Sequence, residues 1–228
     1  MKWRRQSSES RSARLGSLDE LRVEGLTALI EHTNNFAATK WLGRPVWQNV
    51  ADAWLLQECI VEDGVDFVVE CGTNRGGSAF FMATIFDLLG RTPGRIVTVD
   101  IESLVDFTHP RVEFLLGSSA NPGVVAAVKE RVVSSGASQP LVMLDSEHAA
   151  HHVAKELRAY CDLVPVGGYI CVQDGCVDTL PMFAHGRPGP IPAIREFVAE
   201  DARFVVDEER SDRYLFMHSP LGWLKRVR

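Results

Sequence analysis

Four short apolar runs in this 228-residue chain end on an acid, and that pattern constrains the fold more than any other feature. The runs span 66–70, 95–100, 140–145 and 168–174, and they end on Glu70, Asp100, Asp145 and Asp174. Their apolar residues are continuous rather than alternating, as strands covered on both faces require. Helical patterns separate them, over 78–89, 123–133 and 149–163, with a further strand over 112–116. Helices over 17–32 and 50–62 come before, the first with Ser17 as its cap. Alternating strand and helix predict a doubly wound α/β fold. Two last strands, near 204–207 and 214–218, are linked too briefly for a crossover helix and should pair as an antiparallel hairpin. The expectation is a mostly parallel seven-stranded sheet with N-terminal helices. Ligands of such sheets bind at the C-terminal ends of the strands, where the four acids fall.

Composition narrows the partners. A formal charge of −6 argues against a nucleic-acid-binding body and fits small-molecule partners. No apolar run reaches the roughly 18 residues of a membrane span. Residues 1–16 are basic and serine-containing with no apolar core after them, so a flexible tail is expected rather than a secretion signal. A phosphate-binding arm is the sharper reading of that tail. Residues 17–228 form the folded domain. The five cysteines are odd in number and lack CxxC spacing, which disfavours a zinc site or a disulfide framework. Cys71 and Cys171 lie in strand-like runs as packed thiols, and a reducing cytoplasm is the expected compartment.

The segment 65–83 reads as strand, glycine turn and helix start. Gly72 allows a sharp turn, and Gly76 and Gly77 allow close backbone approach to a ligand. Asn74 stands where a GxGxxG loop has its second glycine, so a dinucleotide pyrophosphate is disfavoured. The string from Val69 to Ser78 instead resembles the E-x-G-x-x-x-G-x-S loop of class I methyltransferases. That resemblance implies S-adenosylmethionine (SAM) held by Glu70, Gly72, Thr73, Asn74, Gly76, Gly77 and Ser78. A carboxylate at Asp100 can accept both ribose hydroxyls, a property shared with NAD enzymes. Ser118 and Ser119 either reach the adenine or form a plain turn.

Asp145, Gln173 and Asp174 end neighbouring strands beside that loop. Three oxygen-bearing side chains there suit a hard cation such as Mg²⁺, which acidifies and orients a hydroxyl. His148, three residues past Asp145, is the natural general base, since histidine titrates near neutrality. Glu147 is the rival base. His152 shares a helix face with His148 and is expected to support the site, while His151 faces solvent.

At this point the resemblance becomes specific. Trp41 to Gly43, Gln57-Glu58, Val69 to Ser78, Leu144 to His148 with His152-Val153, and Gln173 to Gly175 are similar to the cephalosporin hydroxylase family, over about residues 40–218. That family includes rhamnose O-methyltransferases of antibiotic pathways, and it is similar in fold and metal logic to catechol O-methyltransferase. The resemblance implies a Mg²⁺ site at Asp145, Gln173 and Asp174, and His148 in the place of a basic lysine. One departure is Gln173, where the family carries an acid, so a negative charge is lost. The implied activity is O-methylation of a sugar or glycosylated secondary metabolite by a homo-oligomeric enzyme. Three other readings remain: a non-catalytic SAM-binding subunit, an NAD(P)-dependent oxidoreductase, and an iron site at His148, His152 and an aspartate. The proline- and glycine-rich stretch 178–190 reads either as a surface loop or as a lid in which Phe183, His185 and Arg187 touch substrate, and 41–47 as the opposite wall.

Overall fold

The computed structural model describes residues 18–33 and 38–228. The basic segment 1–16 and the Ser17 cap lie outside them. Helix α1 (Leu18–Thr33) comes first. A two-stranded hairpin, β1 (Lys40–Trp41) and β2 (Arg44–Pro45), follows. Helix α2 (Val50–Glu62) starts at Asn49, whose side chain accepts the Ala51 N–H, as an N-cap asparagine should.

Strand and helix then alternate, except that β5 follows β4 with no helix between: β3 (Phe67–Cys71), α3 (Gly77–Leu89), β4 (Arg95–Asp100), β5 (Val112–Leu116), α4 (Pro122–Ser135), β6 (Pro140–Leu144), α5 (Ala150–Tyr160) and β7 (Tyr169–Val172). A short helix α6 (Cys176–Thr179), then α7 (Pro190–Glu200), β8 (Phe204–Val206), α8 (Glu208–Ser211) and β9 (Trp223–Arg226) complete the chain. The main sheet has seven strands in the order β5-β4-β3-β6-β7-β9-β8. Strands β3 to β7 pair in parallel. Strand β9 runs antiparallel to both neighbours. The chain leaves β3 for β4 on one side and later reaches β6 on the other, and a ligand crevice opens at such a switch point.

Period-two alternation sorts each buried strand between two cores. Phe67, Val69 and Cys71 of β3 pack with Val128 of α4, Leu157 of α5 and Phe197 of α7. Val68 faces the opposite way, onto Leu56 of α2 and Met82 of α3.

Two expectations are corrected. The last strand is Trp223–Arg226, not 214–218. Trp223 and Leu224 are fully buried between β7 and β8, while the 214–218 backbone bonds to side chains of the α2 region instead of a ladder. The stretch 178–190 also has regular structure. It holds the end of α6 and a 3₁₀ turn at Pro181–Gly186. Arg187 caps the Val177 and Leu180 carbonyls, and Asp178 accepts the Gly189 and Ile191 N–H groups. Phe183 packs against the small cluster formed by Leu26, Ile30, Cys176 and Leu180. Among the described residues no helix is long and apolar enough to cross a membrane, and all five cysteines are buried and free.

Candidate active site

A cavity of about 800 Å³ opens at the C-terminal ends of the central strands. The turn after β3 forms one wall. Gly72 there has φ +100°, and a Cβ would overlap the Asp145 carbonyl, so only glycine lets the ends of β3 and β6 meet. Gly72, Thr73, Asn74, Gly77 and Ser78 line the cavity. Gly76 does not: it is the left-handed N-cap of α3, stacked above Phe107.

Asp100 lines the cavity too, and it also fastens the loop. Its Oδ2 accepts the N–H groups of Thr73 (2.9 Å) and Asn74 (2.7 Å). Its Oδ1 accepts the Glu102 N–H.

Glu70 is fully buried behind the loop and is not among the cavity-lining residues. It accepts hydrogen bonds from Ser78 Oγ and Thr98 Oγ1, both at 2.5 Å, and Thr98 pairs in turn with Thr73 Oγ1 at 2.6 Å. The resulting belt ties β3, β4, the loop and the first turn of α3. Burial pushes the Glu70 carboxyl up to about 7, against the two hydroxyl bonds that lower it. A raised acid binds its proton more tightly in the folded state. Its stabilising contribution is therefore present below the ordinary carboxylate range and is lost as pH rises to about 7. The shift is worth up to about 3 kcal/mol. Glu70→Gln should remove that loss: urea midpoints at pH 8 should exceed wild type, with little difference at pH 5. An unchanged pH slope would mean that Glu70 does not titrate in this window.

Beyond β5, Ser118 and Ser119 line the cavity together with His152 and Ser146. Ser119 Oγ lies 3.1 Å from His152 Nε2 and donates to the buried Glu156 at 2.5 Å. Ser146 Oγ donates to the same carboxylate oxygen, and Tyr160 holds the Ser119 carbonyl. His152 also sits 3.5 Å from Glu147. Its pKa is raised, first by the Glu156 hydrogen bond and against partial burial. His152 is thus a wall residue wired to the buried acid of α5, while His151 is exposed and reaches Glu147 at 3.7 Å.

At the ends of β6 and β7, the ligand atoms of Asp145, His148 and Asp174 lie within 4.8 Å of one another. All three residues line the cavity. His148 Nε2 is 3.2 Å from Asp174 Oδ2. Asp174 stands on left-handed backbone, φ +56°. Burial raises its carboxyl, but the bond from His218 and the charges of His148 and His218 outweigh burial, and the net shift is downward. Asp145 goes the other way. Burial and then the carboxylates of Asp174, Glu70, Asp52 and Glu156 push it well above the usual range. Gln173 is buried, and its amide nitrogen donates to Cys171 Sγ at 3.0 Å. It is not among the residues lining the cavity.

Several contacts around the cavity had no sequence signal. Gln48 Nε2 donates to Asp145 Oδ2 at 2.5 Å from the turn before α2. Asp52 and His218 meet behind Asp174. Of the segment 41–47, Trp47, half exposed, is among the residues lining the cavity.

The fold and this cavity define a class I SAM-dependent O-methyltransferase. The chain belongs to the rhamnosyl O-methyltransferase/CmcI family, whose model matches residues 33–227. It is 30% identical over 193 residues to the rhamnosyl O-methyltransferase of Mycobacterium tuberculosis, covering 82% of this chain and 78% of that one. The Mycobacterium leprae rhamnosyl O-methyltransferase is 28% identical over 193 residues, covering 82% and 83%. In fold the chain is similar to a CmcI structure with Mg and SAM, at TM-score 0.68 and 14% identity over 100% of this chain and 88% of that one. It is also similar to the O-methyltransferase NovP, at TM-score 0.56 and 14% identity over 92% and 98%.

Proposed function

We propose that the enzyme methylates a hydroxyl of a sugar or glycosylated metabolite, with a divalent cation, Mg²⁺ foremost, held by Asp145 and Asp174. The observation that carries this reading is the convergence of Asp145, His148 and Asp174 in the cavity that also holds the glycine loop and Asp100. The residues fit such an ion. Two carboxylates offer hard oxygen donors, and burial followed by the charges of its acidic neighbours pushes Asp145 up, an environment that a cation would relieve. When bound, the ion acidifies a coordinated hydroxyl. Gln173 would add at most a neutral donor.

The cavity supports a division of labour among side chains. Asp100 and the Gly72–Asn74 turn would hold the ribose and methionine parts of SAM, and Ser118 and Ser119 the adenine. His148, oriented by Asp174, would take the proton of the acceptor hydroxyl. The sugar acceptor is supported by the rhamnosyl acceptor that the mycobacterial relatives' names state.

Calorimetry with SAM, followed by methyl transfer from labelled SAM to a panel of rhamnosides and other glycosides, tests the reading. Turnover should fall at least tenfold in EDTA and return with Mg²⁺. SAM binding without any methylated acceptor would favour a binding subunit. Turnover indifferent to EDTA would remove the cation.

A further inference from the structure

We infer that His218 is a positioning residue for Asp174, fixed in turn by Asp52, an inference that rests on the methyl-transfer reading above. Three segments distant in sequence meet here: the first turn of α2, the end of β7 and the irregular stretch before β9.

His218 is buried, and its backbone is anchored on both sides. Its N–H donates to Asp52 Oδ2 at 2.7 Å, and its carbonyl accepts the Cys176 N–H at 2.9 Å. The neighbouring Ser219 Oγ donates to the other Asp52 oxygen. Asp52 is itself buried in the first turn of α2, so it serves as a fixed peg under the 218–219 backbone. From that peg the imidazole reaches the cavity's back wall, where Nδ1 lies 3.5 Å from Asp174 Oδ1.

The other Asp174 oxygen, Oδ2, faces His148 at 3.2 Å. The Asp174 carboxylate is therefore bracketed by two imidazoles, one buried and one open to the cavity. Its backbone is left-handed, which costs energy for a residue with a Cβ and persists only where the surroundings enforce it. His218 provides that enforcement at the side chain. It takes one oxygen and sets the plane in which the other meets His148 and a cation. Gln48 does the matching work on Asp145, holding Oδ2 at 2.5 Å. Partners of this kind commonly change metal affinity or activity by 10–100-fold.

The test compares His218→Ala, His218→Asn and His218→Gln in the full-length enzyme. Asparagine keeps a donor near the position of Nδ1, whereas the glutamine amide sits one bond farther out. The readouts are Mn²⁺ affinity by electron paramagnetic resonance, SAM affinity by calorimetry, and kcat separately from KM. The alanine variant should lose about tenfold in Mn²⁺ affinity and in kcat, with SAM affinity within twofold of wild type. The asparagine variant should recover both losses to within threefold, and the glutamine variant should not. If alanine prevents folding, the asparagine–glutamine contrast decides. Unchanged Mn²⁺ affinity and kcat in alanine, or asparagine no better than glutamine, overturns the inference. So does a parallel loss of SAM affinity, which would indicate a general structural role. Wild-type enzyme that takes up no Mn²⁺ would sink the cation reading by itself, and the kcat pattern of the three variants would then decide the role of His218.

Discussion

Asp145→Asn should lose about 10³ in kcat and gain thermal stability at the same time. The two effects have one cause. Asp145 ends β6 among the carboxylates of Asp174, Glu70, Asp52 and Glu156, each of which pushes its carboxyl further up. Among its described contacts, only the Gln48 amide offsets that crowding with a bond at 2.5 Å. A fold assembled for stability alone would not collect these charges at one strand end, since an uncompensated buried charge is expensive. Asparagine keeps the shape and an acceptor for Gln48 and removes one negative charge. Relief of even 1 kcal/mol is worth about 2–4 °C in a domain of this size.

On the proposed cation reading, the activity loss follows from the missing ion. Its contribution to such chemistry is several kcal/mol, and each ~1.4 kcal/mol is tenfold in rate. Added Mg²⁺ should raise the Tm of wild type, because binding to the folded state alone stabilises it, and should leave the variant unmoved. Melting curves with EDTA and with Mg²⁺, beside initial rates, give all four numbers. A variant that keeps wild-type turnover, or one still stabilised by Mg²⁺, would mean that Asp145 holds no cation.

Where the physics was local, the fold was legible in the sequence. The bounds read for α2, β4 and β5 agree with the structure, because helical spacing and continuous apolar runs act within a few residues. The glycine at position 72 was legible for the same reason, since a backbone demand shows in residue type. What stayed hidden depends on contacts across the chain. Gln48 and Asp145 are separated by 97 positions, and Asp52 and His218 by 166. Nothing in the flanking residues marks either pair. The final strand was misplaced because 214–218 has the apolar content of a strand, while Trp223 is chosen by a slot between β7 and β8 that exists only after folding. Gln173 entered the expected cation site through the family resemblance, as a departure from its acid, and its amide nitrogen lies on Cys171, two residues back on the same pleat face. Glu70 followed the rhythm of acids at strand ends, and its carboxylate holds the loop from behind rather than from inside the cavity.

His148→Gln should lower kcat by about 10²–10³, the usual worth of a positioned general base, while SAM affinity stays within about twofold because the glycine loop and Asp100 are untouched. The ring is one-third exposed, lines the cavity, and has one nitrogen directed at Asp174 Oδ2. That leaves the opposite edge of the imidazole for an acceptor hydroxyl. Glutamine retains a polar contact to Asp174 but cannot accept and release a proton, so the loss should fall on kcat more than on acceptor KM. Glu147→Gln is the matched comparison. Glu147 is more than half exposed and is occupied with His151 and His152, so its loss should cost less than about threefold. Reversed magnitudes, with Glu147→Gln inactive and His148→Gln near wild type, would transfer the role of base to the glutamate and leave His148 as a partner of Asp174 alone.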